Sequence, residues 1–166
     1  MKLHFGLTPE LTNTQYAPLA ALLAYYEAEK ALEPLQSVTS ATSSGDYTLP
    51  QKLEQTLVSI LAGCQYIWLV NTKLRPERKL AQVKRIPRFA DQSTLSRGLD
   101  ELTQTNLEQL EAAVRHISHG FSRVWSHDWR GFLELDFDLS ALPCGPQAQG
   151  GQKGYASGKK TYLCAN

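Results

Sequence analysis

At 166 residues, with 17 Lys and Arg against 16 Asp and Glu, the chain has room for one domain, or for a small domain plus part of another. Cys64, Cys144 and Cys164 are odd in number, widely spaced and without a CxxC pair, so they indicate neither a disulfide framework nor a zinc site, and a reducing cytoplasm fits them best. The start MKLHFGLTPEL lacks the charged head and apolar run of a signal peptide, and the longest apolar stretch, 66–70, is far too short for a bilayer, so no membrane partner is expected.

The near-neutral total hides an uneven distribution. Residues 1–72 hold 3 basic and 6 acidic side chains, residues 73–97 hold 8 and 2, and residues 98–166 hold 6 and 8. The field that matters to a polyanion is local, so a balanced total does not exclude one.

Residues 14–33 predict a helix, with Tyr16, Leu19, Leu22, Leu23, Tyr26 and Leu32 at steps of three and four and Pro34 as its stop. The Ser-, Thr- and Gly-rich run 36–49 reads as a loop or linker that packs no helix face. Pro50 opens a second helix over 50–71, whose wide apolar face is Leu53, Leu57, Ile60, Leu61, Cys64, Ile67 and Trp68, with Cys64 an inert buried thiol. This helix is expected at the centre of the N-terminal domain.

The basic region comes next. Leu80 and Val83 support a short helix ending before Pro87, and Asp91 is placed to cap another, over 92–103, with Leu95, Leu99 and Leu102 inward and Thr94, Arg97 and Glu101 outward. Two short helices across about 76–103, the second with polar side chains near its start, match the plan of a helix-turn-helix, whose second helix enters a major groove. An ordinary helical hairpin reads the same way. On the DNA-binding reading, Gln92, Ser93, Thr94, Ser96 and Arg97 are of the types that read base edges or hold phosphates, and Lys73, Arg75, Arg78, Lys79, Lys84, Arg85 and Arg88 supply phosphate-range charge.

A third helix is predicted over 105–119, with Thr105 and Glu108 as a capping box, Leu107, Leu110, Val114 and Ile117 inward, and Gly120 as terminator. His116 and His119, three apart, suit either metal chelation or charge complementarity to the helix C-terminus. Phe121, Val124, Trp125 and Trp129 are expected to pack either the apolar face of the strand-like stretch that follows or the junction between the two parts of the chain.

The stretch 131–143 (GFLELDFDLSALP) alternates as a strand: Leu133, Leu135, Phe137 and Leu139 on one face, Phe132, Glu134, Asp136, Asp138 and Ser140 on the other. Three carboxylates on one face suit a hard divalent cation, Mg²⁺ or Mn²⁺, and equally an acidic solvent face of a half-buried strand. The Gly-, Pro- and Gln-rich run 143–158 is expected to be mobile.

The apolar run into Asp138, with Ser140 and Leu142 after it, resembles the first catalytic strand of insertion-sequence DDE transposases, whose core is RNase H-like. The run GGQKGYASGKK at 150–160 is similar to the segment that comes after that strand in several of them. The resemblance spans roughly residues 78–160. It implies a mainly α chain: a helical, helix-turn-helix DNA-binding domain over 1–120, then, over 121–166, the first strand or strands of an incomplete α/β RNase H-like core. It places the first catalytic, metal-holding aspartate on Asp138, with Asp136 the second choice.

In complete members two metal ions, Mg²⁺ or Mn²⁺, held by three carboxylates cut and transfer DNA strands. The ending TYLCAN departs from the family pattern, and no counterpart of the second Asp or of the Glu is seen, so the chain is expected to be a truncated transposase without activity or stably bound metal of its own. Its expected partners are double-stranded transposon-end DNA, a second copy or an intact transposase, and its expected place the cytoplasm, at the nucleoid. The other class is a helical protein-association module, or an inhibitor of an intact transposase, with no DNA binding of its own.

Overall fold

Thr48 opens the helix on which the N-terminal part is built. Its hydroxyl accepts the Gln51 N–H at 3.4 Å, while the Gln51 carboxamide accepts the Thr48 N–H at 2.9 Å, a reciprocal cap for α2, Leu49–Leu61, with Pro50 in the first turn. The computed structural model describes residues 14–40, 45–132, 142–143, 151–156 and 159–165. The chain divides into two compact units, Met1–Arg123 and Val124–Asn166.

The described part of the first unit is mainly helical, as expected. Helix α1, Ala17–Ala28, buries Leu19 and Leu23; α3, Arg78–Val83, packs on α1, and α4, Gln92–Asp100, packs on α2. Helix α5, Gln104–Phe121, lies along the 3₁₀ turn Glu33–Ser37. The larger core cluster gathers Leu19, Leu23, Val58, Val70, Leu74, Leu80, Phe89 and Leu95, and a smaller one gathers Val38, Leu49 and Leu53 with Leu102 and Leu110 against it. Cys64 packs partly buried on the larger cluster, and burial pushes its thiol pKa up.

Several boundaries differ from the sequence reading, each for a local reason. Helix α1 ends at Ala28, before Pro34, because Lys30 takes a left-handed φ of 53° that turns the chain; Pro34 then stands in the first turn of the 3₁₀ segment. The expected loop is anchored in part: Val38 is fully buried, the Thr39 N–H donates to Gln109 Oε1 at 3.1 Å, and the Thr39 carbonyl accepts Asn106 Nδ2 at 2.5 Å. The helix predicted over 50–71 breaks at Gly63, φ 73°, and resumes as a 3₁₀ turn, Ile67–Leu69, and a π turn, Val70–Leu74. The break leaves Ile60, Leu61 and Trp68 exposed, with Tyr66 and Trp68 stacked on each other at 6.4 Å.

The cap of helix α5 lies two residues earlier than predicted. It is Thr103, paired with Asn106 in a capping box, and the helix runs past Gly120 to Phe121. The buried positions are therefore Asn106 and Ala113, and Leu107 and Val114, expected inward, are exposed.

In the second unit, β1 (Leu142–Pro143), β2 (Gly151–Ala156) and β3 (Lys159–Ala165) form an antiparallel sheet in the order β1-β3-β2. Lys153 pairs with Leu163 and Gly154 with Tyr162, and the ladder is irregular between Gly154 and Ala156. Pairing thus takes up part of the run expected to be mobile, since Thr161, Tyr162 and Leu163 favour extended backbone. Asp136, Asp138 and the rest of 133–141 lie outside the described residues.

Candidate nucleic-acid interface

The basic segment is organised around Asp91. Its carboxylate accepts the Thr94 N–H at 2.8 Å as the N-cap of α4, accepts the Ser93 hydroxyl at 2.8 Å, and pairs with Arg75 at 2.9 Å. The Thr94 N–H foremost, then the Ser93 hydroxyl and Arg75, hold its pKa well below the usual carboxylate range. The connection from α3 to α4 is eight residues, 84–91, longer than the three or four of a helix-turn-helix. It is fixed at both ends of its last stretch: the Tyr47 hydroxyl donates to the Arg88 carbonyl at 2.5 Å, and the Ala90 N–H donates to Gln55 Oε1 at 2.7 Å.

Structure sorts the expected DNA-contacting residues into two groups. In the first, partners inside the fold engage the polar atoms. Lys84, with its side chain 5% exposed, pairs with both Glu27 and Glu54. Burial alone would lower its pKa, but the two hydrogen bonds outweigh it and hold the ammonium above the ordinary lysine value. Lys73 donates to the Gly63 carbonyl at 3.1 Å, Arg75 is held by Asp91, and the Ser93 and Thr94 polar groups serve the cap. The Gln92 N–H donates to Asn71 at 2.9 Å.

The second group is Arg78, Lys79, Arg85, Arg88 and Arg97, none of which has a carboxylate in ion-pair range among the described residues. Arg97 donates from Nε to the Ser93 carbonyl at 3.1 Å, which orients the guanidinium and leaves its terminal nitrogens open. Arg85, at a left-handed φ of 54°, lines a separate cleft in which Glu33 pairs with Lys30, and Glu27 and Glu54 with Lys84. Ser96 on α4 is half-buried.

Two other clefts share Arg75 and Arg88 as common lining. One, about 710 Å³, adds Arg78, Asn71 and Gln82; the other, about 550 Å³, adds Tyr47, Lys52, Asp91, Thr94, Arg97 and Glu101. The two clefts therefore adjoin at Arg75 and Arg88, with Arg78 and Glu77 lining the one and Arg97 the other. Among the described residues no group of three or more His, Cys, Asp or Glu is placed to hold a metal ion, and His116 and His119 are both exposed. No described helix is long and apolar enough to cross a membrane.

Sequence reasoning missed Lys52 and Gly98. Lys52 sits on the inward face of α2 beside Leu53, its side chain 9% exposed, and crosses α4 at Gly98, where an added Cβ would lie 2.5 Å from Lys52 Cδ. The available signal was a lysine and a glycine each three residues on from a buried leucine of its helix, Leu49 in one case and Leu95 in the other. Comparison with protein-family models, curated proteins and solved structures finds no match for the chain.

Proposed function

We propose that this chain binds double-stranded DNA through the surface carrying Arg78, Lys79, Arg88 and Arg97, as the end-binding part of an insertion-sequence transposase. The observation that supports this most is the arginine lining of two clefts that share Arg75 and Arg88, with Arg78, Arg88 and Arg97 lacking carboxylate partners among the described residues. Unpaired surface cations add little to folding and stand free to neutralise the phosphates of a polyanion. In this reading α4 acts as the groove helix of a helix-turn-helix with a lengthened turn, and Gln92, Ser96 and Arg97 are its base-edge candidates. A nucleoid location goes with it. Strand cleavage belongs to the complete enzymes that the sequence resembles, and none of the described residues is assigned a part in it.

The test is duplex binding by the intact chain, measured by fluorescence anisotropy. Arg88→Ala/Arg97→Ala is expected to weaken it by at least ten-fold while the far-UV circular dichroism stays unchanged. Equal affinity in that variant would refute the reading.

A second reading, protein association, is favoured by one observation. Leu107, Val114 and Phe121 are 47%, 50% and 48% exposed and seven residues apart, so they stand on one line along α5. If α5 joins two copies, Val114→Glu converts a dimer to a monomer in light scattering; a wild-type monomer at high concentration disposes of it.

A further inference from the structure

We infer that the cleft between α2, residues 88–91 and α4 is a built site for a single phosphate group, held by Lys52, Arg88 and Arg97. The inference shares two arginines with the duplex-binding reading but does not depend on it, because it concerns any ligand that presents a phosphate.

Lys52 carries the argument. Its side chain is nine-tenths buried, yet its ammonium lies 3.8 Å from Glu101 Oε2, an ion pair longer than a hydrogen bond, and it lines the cavity. The stem is buried and the ammonium meets the cavity with that one distant acceptor, where the Lys84 ammonium has two close ones in Glu27 and Glu54. The stem reaches the cleft only because Gly98 lacks a side chain: a Cβ there would meet Lys52 Cδ at 2.5 Å and Lys52 Cβ at 3.3 Å. Glycine is a poor residue for a helix interior, and lysine is a poor one for a buried helix face. Together, these two unfavourable choices deliver one ammonium to the cavity.

The rest of the lining decides the ligand. Four cations, Lys52, Arg75, Arg88 and Arg97, face three carboxylates, Asp46, Asp91 and Glu101. Asp91 and Arg75 satisfy each other at 2.9 Å. Asp46 is exposed, and Glu101, its side chain 39% exposed, can turn to water. What remains is an ammonium and two guanidinium groups from three different parts of the chain. A free or terminal phosphate offers three charged oxygens to such a set, where a carboxylate or a phosphodiester offers two. The lining therefore points first to a free or terminal phosphate, with a phosphodiester of a nucleic acid strand as the other source of the group.

Titrating the intact chain with inorganic phosphate, and separately with dimethyl phosphate, at ionic strength fixed by chloride, tests the inference by calorimetry or amide chemical shifts. Saturable binding of either probe is expected, at least ten-fold weaker in Lys52→Met and several-fold tighter in Glu101→Gln. Preference for inorganic phosphate identifies a free or terminal phosphate as the ligand, and preference for dimethyl phosphate identifies a strand phosphodiester. Should Lys52→Met fail to fold, Arg97→Gln, at an exposed position, is expected to show the same ten-fold loss. No binding beyond the chloride control, or binding unchanged in these variants, overturns the inference. Duplex binding without phosphate binding would remove this site and leave the DNA reading standing; phosphate binding without duplex binding would do the reverse.

Discussion

Asp91 is the residue through which charge, cap and cleft meet, and its energetics have a definite pH dependence. Its folded pKa is depressed, so its contribution is fully present above the unfolded value, about 3.9, and is lost as pH falls through the lower folded one. Asp91→Ala removes an N-cap and the partner of Arg75, and a loss of about 1–2 kcal/mol at pH 7 is expected from the cap alone. In urea unfolding, the gap between wild type and variant should shrink steadily below pH ~4; a gap independent of pH would mean the carboxylate's charge is irrelevant. Gly98 gives a second single-residue test. Alanine there gains up to ~1 kcal/mol of helix propensity, but its Cβ collides with the Lys52 stem, and overpacking costs ~1–3 kcal/mol. Gly98→Ala is therefore expected to be destabilising, and Lys52→Ala/Gly98→Ala at least as stable as Lys52→Ala alone. A denaturation cycle that comes out additive would show that the two positions do not touch.

Among the elements, helix existence and the Asp91 cap were legible in the sequence, whereas the capping boxes at Thr48 and Thr103 were not. Asp91 is the N-cap expected of it, and α3 ends before Pro87 as predicted. Less legible were faces and breaks, because they depend on distant partners. Helix α2 buries Lys52, Gln55 and Ser59, while Ile60 and Leu61 stand in water; Gln55 is wanted inside by the Ala90 N–H, and nothing near Gln55 in sequence announces it. The phase of α5 likewise comes from Asn106 and Gln109 meeting Thr39, a contact spanning 67 residues. In the interface, local charge composition marked the right segment but could not show that Lys84 faces inward. Lys84 ties the end of α3 to α1 and α2 through Glu27 and Glu54, whose side chains are 37% and 18% exposed. Lys84→Met would leave two carboxylates facing each other, and the lower end of the ~3–5 kcal/mol typical of a broken buried pair is expected, since Glu27 can turn to water. Glu54→Leu in the same chain should recover most of that loss, and failure to recover it in thermal melts would deny that the pair is what Lys84 serves. Because the folded Lys84 pKa is raised, the contribution is fully present below pH ~10.4 and is lost as pH climbs through the folded value.

At the scale of the whole molecule, the sign of the net charge is a poor guide to partners, since a chain of formal charge +1 concentrates its basic excess in one segment. The structure refines the number that matters. Of the eight basic residues in 73–97, Lys73, Arg75 and Lys84 are engaged within the fold and Arg85 lines a separate cleft, which leaves Arg78, Lys79, Arg88 and Arg97 to meet phosphates. Each neutralised phosphate contributes about −0.9 to the slope of log K against log salt, so three or four contacts give a slope of about −3 to −4 and a loss of roughly 100-fold between 50 and 200 mM salt. Arg88→Ala/Arg97→Ala should flatten the slope by about 2. A folded Lys84 variant, such as Lys84→Met/Glu54→Leu, should leave it where it was, because an ammonium already held by two carboxylates releases no counterion. A slope that flattens as much in that variant as in the arginine pair would mean that Lys84 leaves its partners to reach DNA, and that the fold of the 84–91 connection changes on binding.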